Sequence, residues 1–281
     1  MRIRISADST CDLSPELIAQ YDVAITPLYV RLGDKDLKDS IEVTPPDIYR
    51  CVEQTKSIPK TAAVNVGDYV DFFEKTRAEG YDGVVHFTIS ADMSSCFQNA
   101  CLAAANFENV YVVDSRNLST GIGHLVLDAC LLRDEGKTAK EIFDIVEKRK
   151  EKLDVSFVLD TLKYLALGGR CNSLLAFGAN LLNIKPSIQV KDGKMGVDKK
   201  YRCSFERAVV RYVNDKLADK DSLNLRRIFI TDSGCTDEVR AAAEEAVRKN
   251  APFAEILHTR AGCTVSSHCG PNCIGILFYR N

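Results

Sequence analysis

The run "DGVVHFTIS" (residues 82–90) most constrains what this chain can fold into. Its apolar residues follow one another without alternation, so a strand made from them is apolar on both faces. Such a strand must be covered on both sides, which is the situation of a parallel sheet between helices. "NVYVVDS" (109–115) is a second run of this kind. Between them lies "ADMSSCFQNACLAAANF", a helical stretch whose Ser95 and Gln98 match a capping box. Strand, hydroxyl-rich loop, helix and strand form a βαβ unit.

The alternation extends in both directions. "RIRIS" has period 2, and Ser14-Pro15-Glu16 opens a helix with an N-cap serine and a first-turn proline. "VAITPLYVRL" reads as a further strand region, and Thr44-Pro45-Pro46-Asp47 caps the next helix. Val66, Tyr69, Val70 and Phe73 fall on one face of a helix ended by Gly80. Apolar residues at 122, 125, 126 and 129 mark another helix, and Thr138 with Glu141 gives a second capping box. Near residue 153 the pattern shifts. "KDGK" signals a hairpin between two short strands, followed by a long helix (203–218) and a second α/β set ending in "CIGILFY". The expectation is an α/β fold of two lobes, 1–153 and 154–281, the first built on a mainly parallel sheet. A chain of 281 residues accommodates two such units.

Composition narrows the function. Net charge is −2, so no basic surplus exists to neutralise a phosphate backbone, and nucleic-acid binding is not expected. No apolar run approaches a membrane span, and "MRIRISADST" reads as a strand and turn, not an export signal. A cytoplasmic location without membrane insertion is expected. The eleven cysteines are odd in number and scattered. They read as small buried hydrophobes, Cys101 and Cys130 among them on helix faces, and not as a disulfide framework.

In parallel α/β folds, ligands sit at the carboxyl ends of strands. Those ends here carry hydroxyls: Ser9 and Thr10, then Ser90, Ser94 and Ser95, then Ser115 and Ser233, with Thr61 in a loop. Hydroxyls beside helix N-termini favour an anion, although each can equally serve as a plain cap. "SSHCGPNCIG" (266–275) puts His268 between two cysteines, but the spacing is CxxxC and no CxxC occurs anywhere. Neither a metal nor a cofactor is therefore expected. Two rivals remain open. One is a stand-alone hydrolase or phosphoryl-transfer enzyme using Ser94 or His268, although a Gly-x-Ser-x-Gly elbow is absent. The other is a thiol or metal protein using Cys263, Cys269 and Cys273.

Six segments in order resemble one family. "SADSTCDLS", "TISADMSSCFQNA", "VVDSRNLSTGIG", "LKYLALGGR", "KPSIQVKDGKMGVDKKYRCSFERA" and "HCGPNCIGI" are similar to landmarks of the DegV proteins across essentially the whole chain. The resemblance implies two α/β lobes holding a long-chain fatty acid between them. It also implies a non-catalytic subunit, resembling the B subunit of bacterial fatty-acid kinase, which presents the carboxylate to a separate ATP-using kinase subunit. Carried over residue by residue, Thr61 and Ser94 donate hydroxyls to the head group and His268 supports them. Ser90 joins the ligand-binding set. Arg170 and Arg202 match family arginines on the head-group side, where they attract the carboxylate, steady the transferring phosphate or dock the kinase. "LLAFGANLLNI" (174–184) is expected to wall the acyl tail through Phe177, Leu181 and Leu182. The chain departs from the family at "TAAVN", at Ser95 and Cys96, and at Asn272, which stands where a glycine is usual.

Overall fold

A computed structural model describes residues 1–171 and 184–281. Phe177, Leu181 and Leu182 lie outside the described residues. The first half of the chain runs β1 (Ile3–Asp8), α1 (Pro15–Gln20), β2 (Ala24–Thr26), β3 (Tyr29–Leu32), β4 (Lys35–Lys38), α2 (Pro45–Thr55), β5 (Lys60–Ala62) and α3 (Val66–Ala78). It continues through β6 (Gly83–Thr88), α4 (Cys96–Ala104), β7 (Val110–Asp114), α5 (Thr120–Asp134) and α6 (Ala139–Arg149). The second half runs β8 (Leu153–Leu159), α7 (Lys163–Gly168), β9 (Lys185–Lys191), β10 (Lys194–Tyr201) and α8 (Phe205–Lys216). It closes with β11 (Leu223–Ser233), α9 (Asp237–Asn250), β12 (Glu255–Arg260), α10 (Cys263–Cys269) and β13 (Cys273–Arg280).

Three sheets result. The order β2-β1-β6-β7 is parallel throughout, as the doubly apolar run of β6 requires, and every residue of β6 is buried. β7 is only partly buried, because it takes the edge position. The second sheet, β10-β9-β8-β13-β11-β12, draws all its strands from residue 153 onward and is antiparallel except for β11–β12. Asp192 and Gly193 turn the predicted hairpin between β9 and β10. A small antiparallel sheet, β4-β3-β5, was not legible from the sequence.

The sheets separate the two halves; the apolar core does not. α5 is buried along nearly its whole length and touches β1 and β6 on one side and β8 and β13 on the other. One apolar cluster therefore joins Ile5, Val85 and Leu125 to Val155, Ile188 and Leu277. A second cluster packs α8 and α9 on the far face of the second sheet through Val209, Tyr212, Ala243 and Val247.

The local start signals act largely as their chemistry dictates. Ser14, Thr138 and Thr236 accept helix N–H groups, and Thr138 with Glu141 completes its capping box. The box expected at Ser95 does not form. Ser95 has ψ 4 in place of the extended conformation a capping side chain needs, and makes no cap bond. The preceding Ser94 Oγ accepts from the Cys96 N–H at 3.3 Å instead. The cysteines form no disulfide among the described residues. Cys130 is buried as expected, whereas Cys101 is partly exposed, with Cys51 and Cys203. No helix of the described residues is long and apolar enough to cross a membrane.

Candidate head-group site between the two halves

Thr61 sits in β5, paired to Val30 of β3 at the margin of the small sheet. Ser94 follows β6 in a tight turn, its N–H bonded to the Ser90 carbonyl at 3.2 Å. His268 stands in the last turn of α10. The fold joins two of these directly: Thr61 Oγ1 and His268 Nε2 are 2.9 Å apart across 207 positions of sequence. All three line one cavity of about 240 Å³, together with Arg170, Thr264 and an apolar wall that includes Leu28, Ile89, Leu165 and Met195.

His268 is neutral here. Burial, assisted by the nearby Arg170 charge, pushes its imidazole down to about 4. Nδ1 is buried without a partner among the described residues. A bare lone pair is better tolerated in the interior than an unpaired N–H, so the hydrogen-bond pattern assigns the proton to Nε2. Nε2–H then donates to Thr61 Oγ1, which leaves the Thr61 hydroxyl hydrogen free for a third group. A carboxylate can only accept hydrogen bonds and fits that position.

The imidazole is held in place from both ends of α10. Beside it, a Cβ at Gly168 would run into Nδ1, so only glycine lets the end of α7 lie against the ring. At the other end, two carboxylates from the first half hold the helix start. Asp39 accepts from the backbone N–H groups of Cys263 at 2.7 Å and Thr264 at 3.0 Å, and from the hydroxyls of Ser9 and Ser40. Asp12 accepts from Gly262 N–H at 2.8 Å and from Ser119 Oγ at 2.6 Å. Burial nonetheless pushes the Asp12 carboxyl up to about 8. No local pattern at either aspartate gives this role, since the partners at the start of α10 lie more than 200 positions away.

After His268 the chain must reverse into β13. Asn272 takes the left-handed conformation there (φ 57), which asparagine adopts more readily than most residues. Its carbonyl accepts from Asp160 N–H at 3.0 Å. Asn272 thus supplies the turn into β13.

Other expected site residues are placed differently. Arg170 lines the cavity and donates from Nη1 to the Gly168 carbonyl at 2.7 Å. Ser90 is fully buried and absent from the cavity wall; its hydroxyl donates to the Gly193 carbonyl at 2.7 Å and ties the β9–β10 turn to the first half. Arg202 stands exposed just beyond β10, away from the cavity wall. Among the described residues, no group of three or more His, Cys, Asp or Glu is placed to hold a metal ion.

A larger groove of about 850 Å³ opens at the N-terminal end of α10, walled in part by Asp12, Asp39 and Asp232. Arg240 and Arg260 share that wall with the three aspartates, so its charges are of both signs, whereas Thr61, Ser94 and His268 line the smaller cavity.

Comparison with known proteins identifies the family. A DegV domain-containing protein of Clostridium acetobutylicum is 30% identical over 279 residues, covering 99% of this chain and 98% of its own. A DegV family protein from Thermus thermophilus, reported for fatty-acid binding, superposes with a TM-score of 0.91 at 31% identity over the whole of both chains. A stearic acid-binding protein from Eubacterium ventriosum superposes at 0.85 with 26% identity, over 100% of this chain and 98% of that one. The DegV family model matches residues 2–281, and this chain belongs to the DegV family.

Proposed function

We propose that this chain binds a long-chain fatty acid, with its carboxylate at Thr61, Ser94 and His268, and presents that head group to a separate kinase subunit for acyl-phosphate formation. The observation that carries the reading is the Thr61–His268 bond in the wall of a largely apolar cavity. Its donors suit an acceptor-only head group, and Arg170 supplies a positive charge at the same wall. The fatty-acid binding of the Thermus and Eubacterium relatives supports it.

The described cavity is slightly smaller than the ~300–1,000 Å³ of common ligand pockets. It suits the head-group end of the chain. Each buried methylene contributes roughly 0.8 kcal/mol, so the tail supplies most of the affinity and the polar groups set orientation. Arg202, exposed on the second half, is assigned to the kinase-facing surface. Catalysis is assigned to the partner, and the location to the cytoplasm. Ser94 Oγ donates to Cys96 Sγ at 3.2 Å while His268 Nε2 bonds Thr61, so Ser94 and His268 are not arranged as nucleophile and base.

Native mass spectrometry and lipid extraction of the purified protein test the reading. A co-purifying acyl chain is expected. Its absence, together with no binding of added stearate to delipidated protein, overturns the proposal. Acyl-phosphate made from ATP and fatty acid by this chain alone overturns the carrier role.

A further inference from the structure

The hydroxyls around the cavity differ in what they already bond. Thr61 Oγ1 is paired with His268 Nε2, and Ser94 Oγ is engaged by Cys96 through both Sγ and N–H. Thr264 belongs to the same cavity wall and is 4% exposed. Its Oγ1 is buried and has no hydrogen-bond partner among the described residues. Buried hydroxyls in native proteins are normally satisfied, so one left open beside a cavity points to a ligand atom or water as its partner. Thr264 precedes His268 by four residues on α10, which places both on one helix face. Its backbone N–H is fixed on Asp39 Oδ2 at 3.0 Å, so its position does not drift with the ligand.

We infer that Thr264 is a further head-group ligand, donating its hydroxyl hydrogen to an anionic, carboxylate-type end and so helping this chain select acids over neutral acyl compounds. The inference rests on the acyl-binding reading. Together with the Thr61 hydroxyl, it gives a carboxylate two side-chain donors from opposite halves of the chain.

The experiment measures binding of stearate and of methyl stearate to delipidated wild type, Thr264→Val and Thr264→Ser. Val keeps the shape and removes the hydroxyl; Ser keeps the hydroxyl. Thr264→Val is expected to weaken stearate binding by about tenfold or more, the scale of a hydrogen bond to a charged group. Methyl stearate should change little, and Thr264→Ser should retain the preference for the acid. Equal stearate affinity in wild type and Thr264→Val overturns the inference and leaves the acyl-binding reading intact. Equal losses for acid and ester indicate packing alone and also overturn it. Wild type that binds neither compound overturns the underlying reading instead. Should Thr264→Val not fold, Thr264→Ala replaces it, and an unchanged acid-to-ester ratio there overturns the inference.

Discussion

The Asp39 carboxylate accepts a 2.7 Å hydrogen bond from the backbone N–H of Cys263, 224 positions away. Its second oxygen takes the N–H of Thr264. A carboxylate from the first half thus holds the start of the helix whose last turn carries His268. The position of the imidazole is thereby tied to a residue of the first half.

Replacing Asp39 by Asn tests that dependence. The amide keeps one acceptor and turns an NH₂ group toward a backbone donor. Stability is expected to fall by about 1–3 kcal/mol, the scale of a buried acceptor lost from charged hydrogen bonds. Fatty-acid affinity should fall with it as α10 shifts. Urea unfolding and calorimetric titration measure the two; no change in either contradicts the arrangement.

Gly168→Ala sets two effects against each other. On helix propensity alone, Ala is better than Gly by roughly 1 kcal/mol. The added Cβ, however, meets His268 Nδ1. The collision is expected to dominate, lowering the melting temperature and loosening the acyl ligand. A higher melting temperature with unchanged affinity shows that the ring yields freely.

Ser90→Ala separates a structural serine from a ligand-binding one. Its bond to Gly193 joins the hairpin to the first half. A Cβ at Gly193 would fall 2.8 Å from Ser90 Oγ, so the contact is close by construction. A loss of about 1 kcal/mol in stability is expected, with fatty-acid affinity of the folded protein unchanged. A selective loss of affinity places Ser90 at the ligand.

Stability should peak near neutral pH. Burial holds His86 and His124 down to about 3 and His268 to about 4, against an ordinary 6.5. Below 6.5 the unfolded chain takes up protons that these three refuse when folded, so stability drops as pH falls through that range. Burial raises Asp8 to about 6 and Asp12 to about 8, against an ordinary 3.8. Their contribution is full below 3.8 and is lost as pH rises through 6 and 8. The histidines outnumber the aspartates below 6, and Asp12 acts alone above neutrality, which sets a maximum at roughly pH 6–7. Urea unfolding at pH 5, 6.5 and 8 checks the curve; a steady rise to pH 8 contradicts it.

How much of this was legible follows from the range of each interaction. β6 could be read because burial on both faces leaves a local mark, and the Thr138 box because both members sit three residues apart. Ser95 misled because its neighbour Ser94 competes for the same helix start. The small sheet was missed, since three strands of three or four residues carry little pattern. Thr61 and His268 came from family resemblance, because nothing near either one reveals a partner 207 positions off. Asp39 had no signal, and Asp12 and Gly168 stood only inside segments that resemble the family, as their roles exist only once the halves meet.

The Thr61–His268 bond has a further thermodynamic meaning. Its two members come from opposite halves of the chain, so a ligand seated on them is held only by the folded molecule. On the proposed reading, an acyl chain bound there stabilises the folded state in step with the logarithm of its free concentration. The protein would then report the supply of its own cargo through its resistance to unfolding.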